Sequence, residues 1–239
     1  MNTAQLEPGA VGVPSAACAR ARGVRLLVAL ALTALLGACA TPPAPTDYTA
    51  FRQSKPVTLL VLPPLNDSTE VLAGYGVLAQ ATWPLAEAGY YVLPVTLVDE
   101  TFRQNGVTTA QDAHNVPVPK LREIFGADAA VYLHVKQYGT QFNVLTSESR
   151  VTVAAHIVDL RTGASLWKGT ATASSAESNG GNQGGLVGLL VKAVVNQIIG
   201  TATDASFIWA GVANQRLLGA PRPNGILPGP RSPLYQQSP

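Results

Sequence analysis

The 239 residues carry 16 Lys and Arg against 14 Asp and Glu, are 47% hydrophobic, and include 22 Gly, 18 Pro and 2 Cys. A chain of this length can bury a real core, its net charge of +2 argues against nucleic acid as a partner, and two cysteines are too few for a disulfide scaffold.

Met1 to Ala19 holds no charge except Glu7 and no hydrophobic stretch, so it reads as an overextended gene start, with Val11 or Val13 marking alternative start codons. Arg20, Arg22 and Arg25 then precede the apolar run Leu26 to Leu36, which ends in Leu36-Gly37-Ala38-Cys39. A basic region, a short apolar run and small residues before a cut form an export signal. Leu36, Gly37 and Ala38 are read as the signal-peptidase recognition residues and Cys39 as the lipidation site. The run is shorter than the ~20 residues that span a bilayer. Each buried acyl methylene contributes about 0.8 kcal/mol, so two or three chains, palmitate among them, would hold the protein on a membrane. Residue 40 is Ala and not the Asp of inner-membrane retention. The expected address in a Gram-negative cell is therefore the outer membrane, facing the periplasm.

The expected organisation is a signal peptide with its N-terminal extension over 1–38, an acylated Cys and Pro-rich tether over 39–55, one α/β domain over 56–218, and a Pro-rich disordered tail over 219–239. Residues 39–239 contain 13 basic and 13 acidic side chains. That balance gives no electrostatic reason to bind anionic headgroups beyond the anchor. Cys39 is the only thiol left after the cut, so stability must come from packing.

Along the domain, Val57 to Leu62 reads as a buried strand, and Asn66, Asp67 and Ser68 as caps, with Glu70 in the first turn, of a helix over Val71 to Leu85. Tyr90 to Val95 reads as a second, parallel strand. Thr96 to Gln104 follows as a helix stopped by Asn105-Gly106, Pro119 to Phe125 as another ending at Gly126, and Ala129 to Tyr138 as a strand. Val151 to Val158 alternates with a period of two, Asp159 to Gly163 turns, and Ala164 to Thr172 returns, which predicts an antiparallel hairpin. Ser174 to Gly185 is a flexible loop. Leu186 to Ala205 is an apolar helix with Lys192, Asn196 and Thr203 on one stripe, too interrupted to span a membrane and read as a core helix.

Motifs for chemistry are absent. His114 is placed in a loop and His134 and His156 on strands, without metal-ligand spacing, so they read as structural. There is no Gly-x-Ser-x-Gly elbow, and Gly180 to Gly185 lacks the Lys-Ser/Thr ending of a phosphate loop. Asp99 and Glu100 point about 100° apart on a helix and form no acid/base pair. Trp83, Tyr90, Tyr91, Tyr132, Tyr138 and Trp167 are expected to fill the core. No catalytic residue, metal or cofactor is assigned.

Several segments are long enough to carry a resemblance. Tyr48-Thr49-Ala50-Phe51, Leu60-Val61-Leu62-Pro63-Pro64, Pro84 to Val95, Glu100 to Gly106, Ile124 to Ala129, Gly169 to Glu177 and Val191 to Ile198 resemble a family of bacterial outer-membrane lipoproteins of unknown function known from meningococcal vaccine-antigen screening. The hairpin Asp159 to Gly169, with Leu166-Trp167, is also similar to one in the wider group of the curli-secretion lipoprotein CsgG, the TolB N-terminal domain and penicillin-binding-protein activator lipoproteins. The resemblance implies a three-layer α/β domain with a mixed sheet, parallel at its βαβ start and antiparallel at its late hairpin. It also implies dimers, and envelope assembly rather than catalysis. The expected function is a non-enzymatic interaction component of an envelope assembly, secretion or transport system, working as a homodimer or other homo-oligomer with an envelope protein partner. A ligand-binding accessory component of a transporter is the alternative.

Overall fold

Neighbouring residues of one short strand enter two different cores. In the strand Thr58–Val61, Leu59 and Val61 join one hydrophobic cluster while Leu60, with Leu62 just beyond, joins the other, as the two-residue period of a strand requires. The computed structural model describes residues 45–142, 147–179 and 205–235, and Thr46–Pro239 forms a compact unit by itself. In chain order its elements are α1 (Thr49–Ser54), β1 (Thr58–Val61), β2 (Leu65–Asn66), α2 (Ala73–Glu87), β3 (Tyr91–Val92), α3 (Val95–Gln104), α4 (Ala110–Asn115), α5 (Val118–Phe125), β4 (Ala129–Phe142), β5 (Ser147–Asp159), β6 (Ser165–Ser174), α6 (Ala176–Asn179) and α7 (Ala205–Leu218).

The sheet runs β3-β1-β4-β5-β6, with β2 beside β4. β1 is parallel to β3 and β4, and β2 is parallel to β4. The pairs β4–β5 and β5–β6 are antiparallel. This is the mixed sheet expected from a βαβ start and a late hairpin. α2 and α7 close one face over Leu59, Val61, Leu133, Val153 and Ile157. α3, α4 and α5 close the other over Leu60, Leu62 and Ala130, through Val98, Phe102, Ala113 and Leu121. The result is three layers.

Local chemistry explains most boundaries. α3 stops at Asn105-Gly106 and α5 at Gly126, whose left-handed φ of 64° lets its N–H return to the Arg122 carbonyl at 2.9 Å. The expected caps of α2 do other work. Asn66 pairs with Val135 as part of β2, and its side chain closes a local turn, accepting from the Ser68 N–H at 3.0 Å and donating to the Glu70 carbonyl at 2.8 Å. α2 therefore begins at Ala73 without a side-chain cap.

Other expectations need correction. His114 lies on α4, a helix capped by Thr109, whose hydroxyl oxygen accepts from the Asp112 N–H at 3.1 Å. α7 is a further helix beyond those read from the sequence. Among the aromatics, Tyr90, Tyr138 and Trp167 are buried, but Trp83 and Tyr91 are exposed and Tyr132 is half-buried.

Both ends of the expected domain also move. Residues 219–235 are not a free tail: Ile226 is buried, Trp167 Nε1 donates to the Asn224 carbonyl at 2.9 Å, and the Tyr90 hydroxyl donates to the Leu227 carbonyl at 2.6 Å. The expected tether is helical over Thr49–Ser54, Phe51 is buried, and the Tyr48 hydroxyl donates to the Gly225 carbonyl at 2.6 Å. Composition suggested polyproline and disorder, but buried aromatic hydroxyl and indole groups need acceptors, and the Pro-rich segment supplies backbone carbonyls. The predicted signal segment, the Gly180 to Gly185 loop and the greater part of the predicted helix Leu186 to Ala205 lie outside the described residues.

Candidate interaction surface

α2 is apolar on two sides. Ala73, Val77, Leu78, Ala81 and Leu85 face the core, as helical periodicity directs. Leu72, just before the helix, and Tyr75, Ala79, Trp83 and Ala86 recur at spacings of three and four on the outer side, where Leu72 is 70%, Tyr75 54% and Trp83 67% exposed. Val71 extends this apolar edge at 84% exposure. A helix packed on one side is ordinarily polar on the other, and a contiguous exposed apolar stripe marks a contact surface.

At the start of the stripe lies a crevice of about 360 Å³, beyond the carboxyl end of β1, walled by Pro63 and Asn66, by Gly74 and Tyr75 of α2, by Asp99 and Phe102 of α3, and by Thr109. Open α/β sheets form crevices at this place. Tyr75 belongs to both features: its hydroxyl accepts from Arg103 Nη2 at 3.1 Å, and that guanidinium pairs with Asp99 at 2.8 Å.

The sheet itself offers a polar hollow. Helices cover β1 and the start of β4, and beyond them Tyr132, His134, His156, Lys168 and Thr170, with His114 of α4, line a space of about 540 Å³. The three histidines, distant in sequence, thus share one face. Each already has a partner: His114 Nε2 donates to the Pro63 carbonyl at 2.9 Å, His134 Nε2 lies 2.8 Å from Asp67, and His156 Nε2 lies 2.9 Å from the Ser165 hydroxyl. Burial pushes His114 and His156 below the usual imidazole range, with the charge of Lys168 adding to the effect at His156. Hydrogen bonds from His134 and Lys136 hold the Asp67 carboxyl low. Among the described residues no group of His, Cys, Asp or Glu is arranged to hold a metal ion.

The hairpin turn is a fixed point. Asp159 Oδ1 accepts from the Arg161 and Thr162 N–H groups at 2.7 and 2.8 Å, and Oδ2 accepts from the Ser54 hydroxyl and from Arg161 Nη2. Burial works against its ionisation, but these donors prevail and carry the carboxyl down to about 2. This turn therefore clamps α1 to the sheet.

Of the residues singled out from sequence, Leu36, Gly37, Ala38 and Cys39 lie outside the described residues. The outer stripe of α2 escaped that reading because Val71 to Leu85 was read as a helix without separating its two sides, and Trp83 was expected in the core. Its signal was present: apolar residues at helical spacing on both faces of one helix.

Residues 46–231 match the family model described as "Putative lipoprotein GNA1162-like". The chain belongs to the GNA1162-like lipoprotein family. It is 47% identical over 207 residues to the Neisseria meningitidis serogroup B protein described as "Putative lipoprotein NMB1124/NMB1162", covering 86% of this chain and 95% of that one. The crystal structure of lipoprotein GNA1162 from Neisseria meningitidis overlays with a TM-score of 0.50 at 47% identity, over 61% of this chain and all of that one. A PelC dodecamer from Paraburkholderia phytofirmans is a remote likeness, with a TM-score of 0.37 at 17% identity over 56% of this chain and 78% of that one. The family resemblance read from the sequence is thereby borne out, and the GNA1162-like family is a lipoprotein family.

Proposed function

We propose that this protein is a lipid-anchored, periplasm-facing component of the outer membrane that works by docking rather than by catalysis, joining copies of itself or an envelope protein through the outer side of α2. The observation that carries this reading is the exposed stripe of Leu72, Tyr75 and Trp83 on a helix whose opposite side is already committed to the core. Membership of a lipoprotein family supports the anchor, with Cys39 as acyl acceptor and Leu36, Gly37 and Ala38 as the recognition residues before it. Palmitate labelling of cells, followed by membrane fractionation and light scattering of the solubilised protein, tests it. Labelled outer-membrane protein in an assembly with itself or with another envelope protein is expected; an unlabelled product, or a monomer that carries no envelope protein with it, contradicts it.

The crevice beside Tyr75 favours a second reading, a ligand-binding accessory component of a transporter, because its position matches ligand crevices of open α/β sheets. Thermal-shift screening against periplasmic metabolites tests that reading, and a flat screen counts against it.

A further inference from the structure

The 13 basic and 13 acidic side chains of residues 39–239 hide an uneven arrangement. At the end of the domain where the described chain begins, α1 and the C-terminal segment enclose a cleft of about 280 Å³, and its two charged lining residues, Arg52 and Lys55, are both cationic. Its walls are Phe51, Tyr90, Leu227 and Tyr235, with prolines between them. Neither cation forms an ion pair among the described residues. Asp47, held low first by its hydrogen bond with Thr49 and in smaller part by the charge of Arg52, lines no part of the cleft, nor does Glu87. Just outside, Arg231 lies over the exposed ring of Tyr91, 5.4 Å from its centroid.

Lys55 is also in an unusual conformation. It ends α1 in the left-handed region, at φ 47° and ψ 54°, a position that favours glycine. Glycine would adopt this backbone with less strain, so the conformation itself does not require a lysine.

The chain leading to this end is short. Thr46 is tied by its N–H to Asn224 at 3.1 Å and Tyr48 by its hydroxyl to Gly225 at 2.6 Å. Seven residue steps separate Cys39 from Thr46, which extend to at most about 25 Å, less than the roughly 40 Å breadth of a domain this size. An acyl group on Cys39 therefore keeps this end of the domain near the headgroups.

We infer that the cleft between α1 and the C-terminal segment binds the phosphate of an anionic phospholipid headgroup, with Arg52 and Lys55 on the phosphate and Tyr235 and Leu227 against its glycerol and upper acyl carbons. The tether length in this inference rests on the proposed anchor, whereas the cleft does not.

The chain from Ala40 onward, lacking Cys39, tests the site without acylation, since every residue of the two described cores lies between Phe51 and Ile226. Vesicles of phosphatidylcholine with 30% phosphatidylglycerol are expected to carry it in flotation, and pure phosphatidylcholine vesicles are not. Arg52→Gln and Lys55→Gly are each expected to weaken the association about fivefold, while Lys168→Gln, on the sheet face, leaves it unchanged. Lys55→Gly separates binding from folding, because relief of the left-handed strain is expected to raise the thermal midpoint by about 2 °C while vesicle binding falls. Equal flotation with both vesicle types, or an undiminished association of the Arg52 and Lys55 variants, overturns the inference. Stabilisation by inorganic phosphate without flotation identifies a free anion and overturns it as well. Flotation by this chain alongside a failure of palmitate to label the full-length protein removes the anchor and leaves the cleft standing.

Discussion

The carboxylate of Asp159, in the hairpin turn, accepts the hydroxyl of Ser54, the last residue of α1. One hydrogen bond thus joins the second core's edge to the helix through which the chain enters the domain. The depressed pKa of Asp159, about 2 against an unperturbed value near 3.8, makes this clamp a stability term. Because the folded value is the lower one, the stabilisation is fully present above pH 4, declines as pH falls from about 4, and is gone below about 2. The shift corresponds to about 2 kcal/mol. Asp159→Asn is expected to lower the urea midpoint at pH 7 and to flatten the midpoint's fall between pH 4 and 2, measured by circular dichroism.

The C-terminal segment is predicted to be indispensable to the fold. Removing everything after Gly219 takes away Ile226 and the carbonyl partners of Tyr90 and Trp167. Loss of a buried aliphatic side chain alone costs about 2–5 kcal/mol, so Ile226→Ala is expected to fall in that range in denaturant titration, and the truncated chain to be largely unfolded.

Gly89 provides a second test of the same packing. Its φ of 97° is open to glycine, and a Cβ there would meet the backbone nitrogen of Ser232. Gly89→Ala is expected to loosen residues 229–232, seen as faster protease cleavage of the C-terminal segment.

Several of these elements were legible in the sequence. The hairpin was plain because Val151, Val153, Ala155 and Ile157 alternate with outward residues, and all four are buried. The parallel start was plain because Leu59 to Leu62 is apolar at every position, as a strand covered on both faces must be. The C-terminal segment was misread because its proline content resembles a disordered composition, while its holding forces come from Tyr48, Tyr90 and Trp167, far away in the chain. α4 was within reach: Thr109 and Asp112 stand at capping-box spacing. For the proposed docking surface, sequence placed Trp83 in the core, and the geometry of α2 turns it outward because Val77, Ala81 and Leu85 already occupy the inner side.

The stripe on α2 is expected to be dispensable for folding. Trp83→Glu and Tyr75→Ser alter exposed side chains, so each is expected to change unfolding free energy by no more than about 0.5 kcal/mol. Analytical ultracentrifugation of the solubilised protein should nevertheless show loss of the larger species.

The most direct measurement of the docking claim is photo-cross-linking in intact envelopes, with a benzophenone side chain at position 83 and, as a comparison, at position 168 on the sheet face. A discrete protein adduct is expected from position 83, diminished by Tyr75→Ser, and none from position 168. An uncross-linked protein at position 83, in envelopes where the lipoprotein is present and folded, would contradict it.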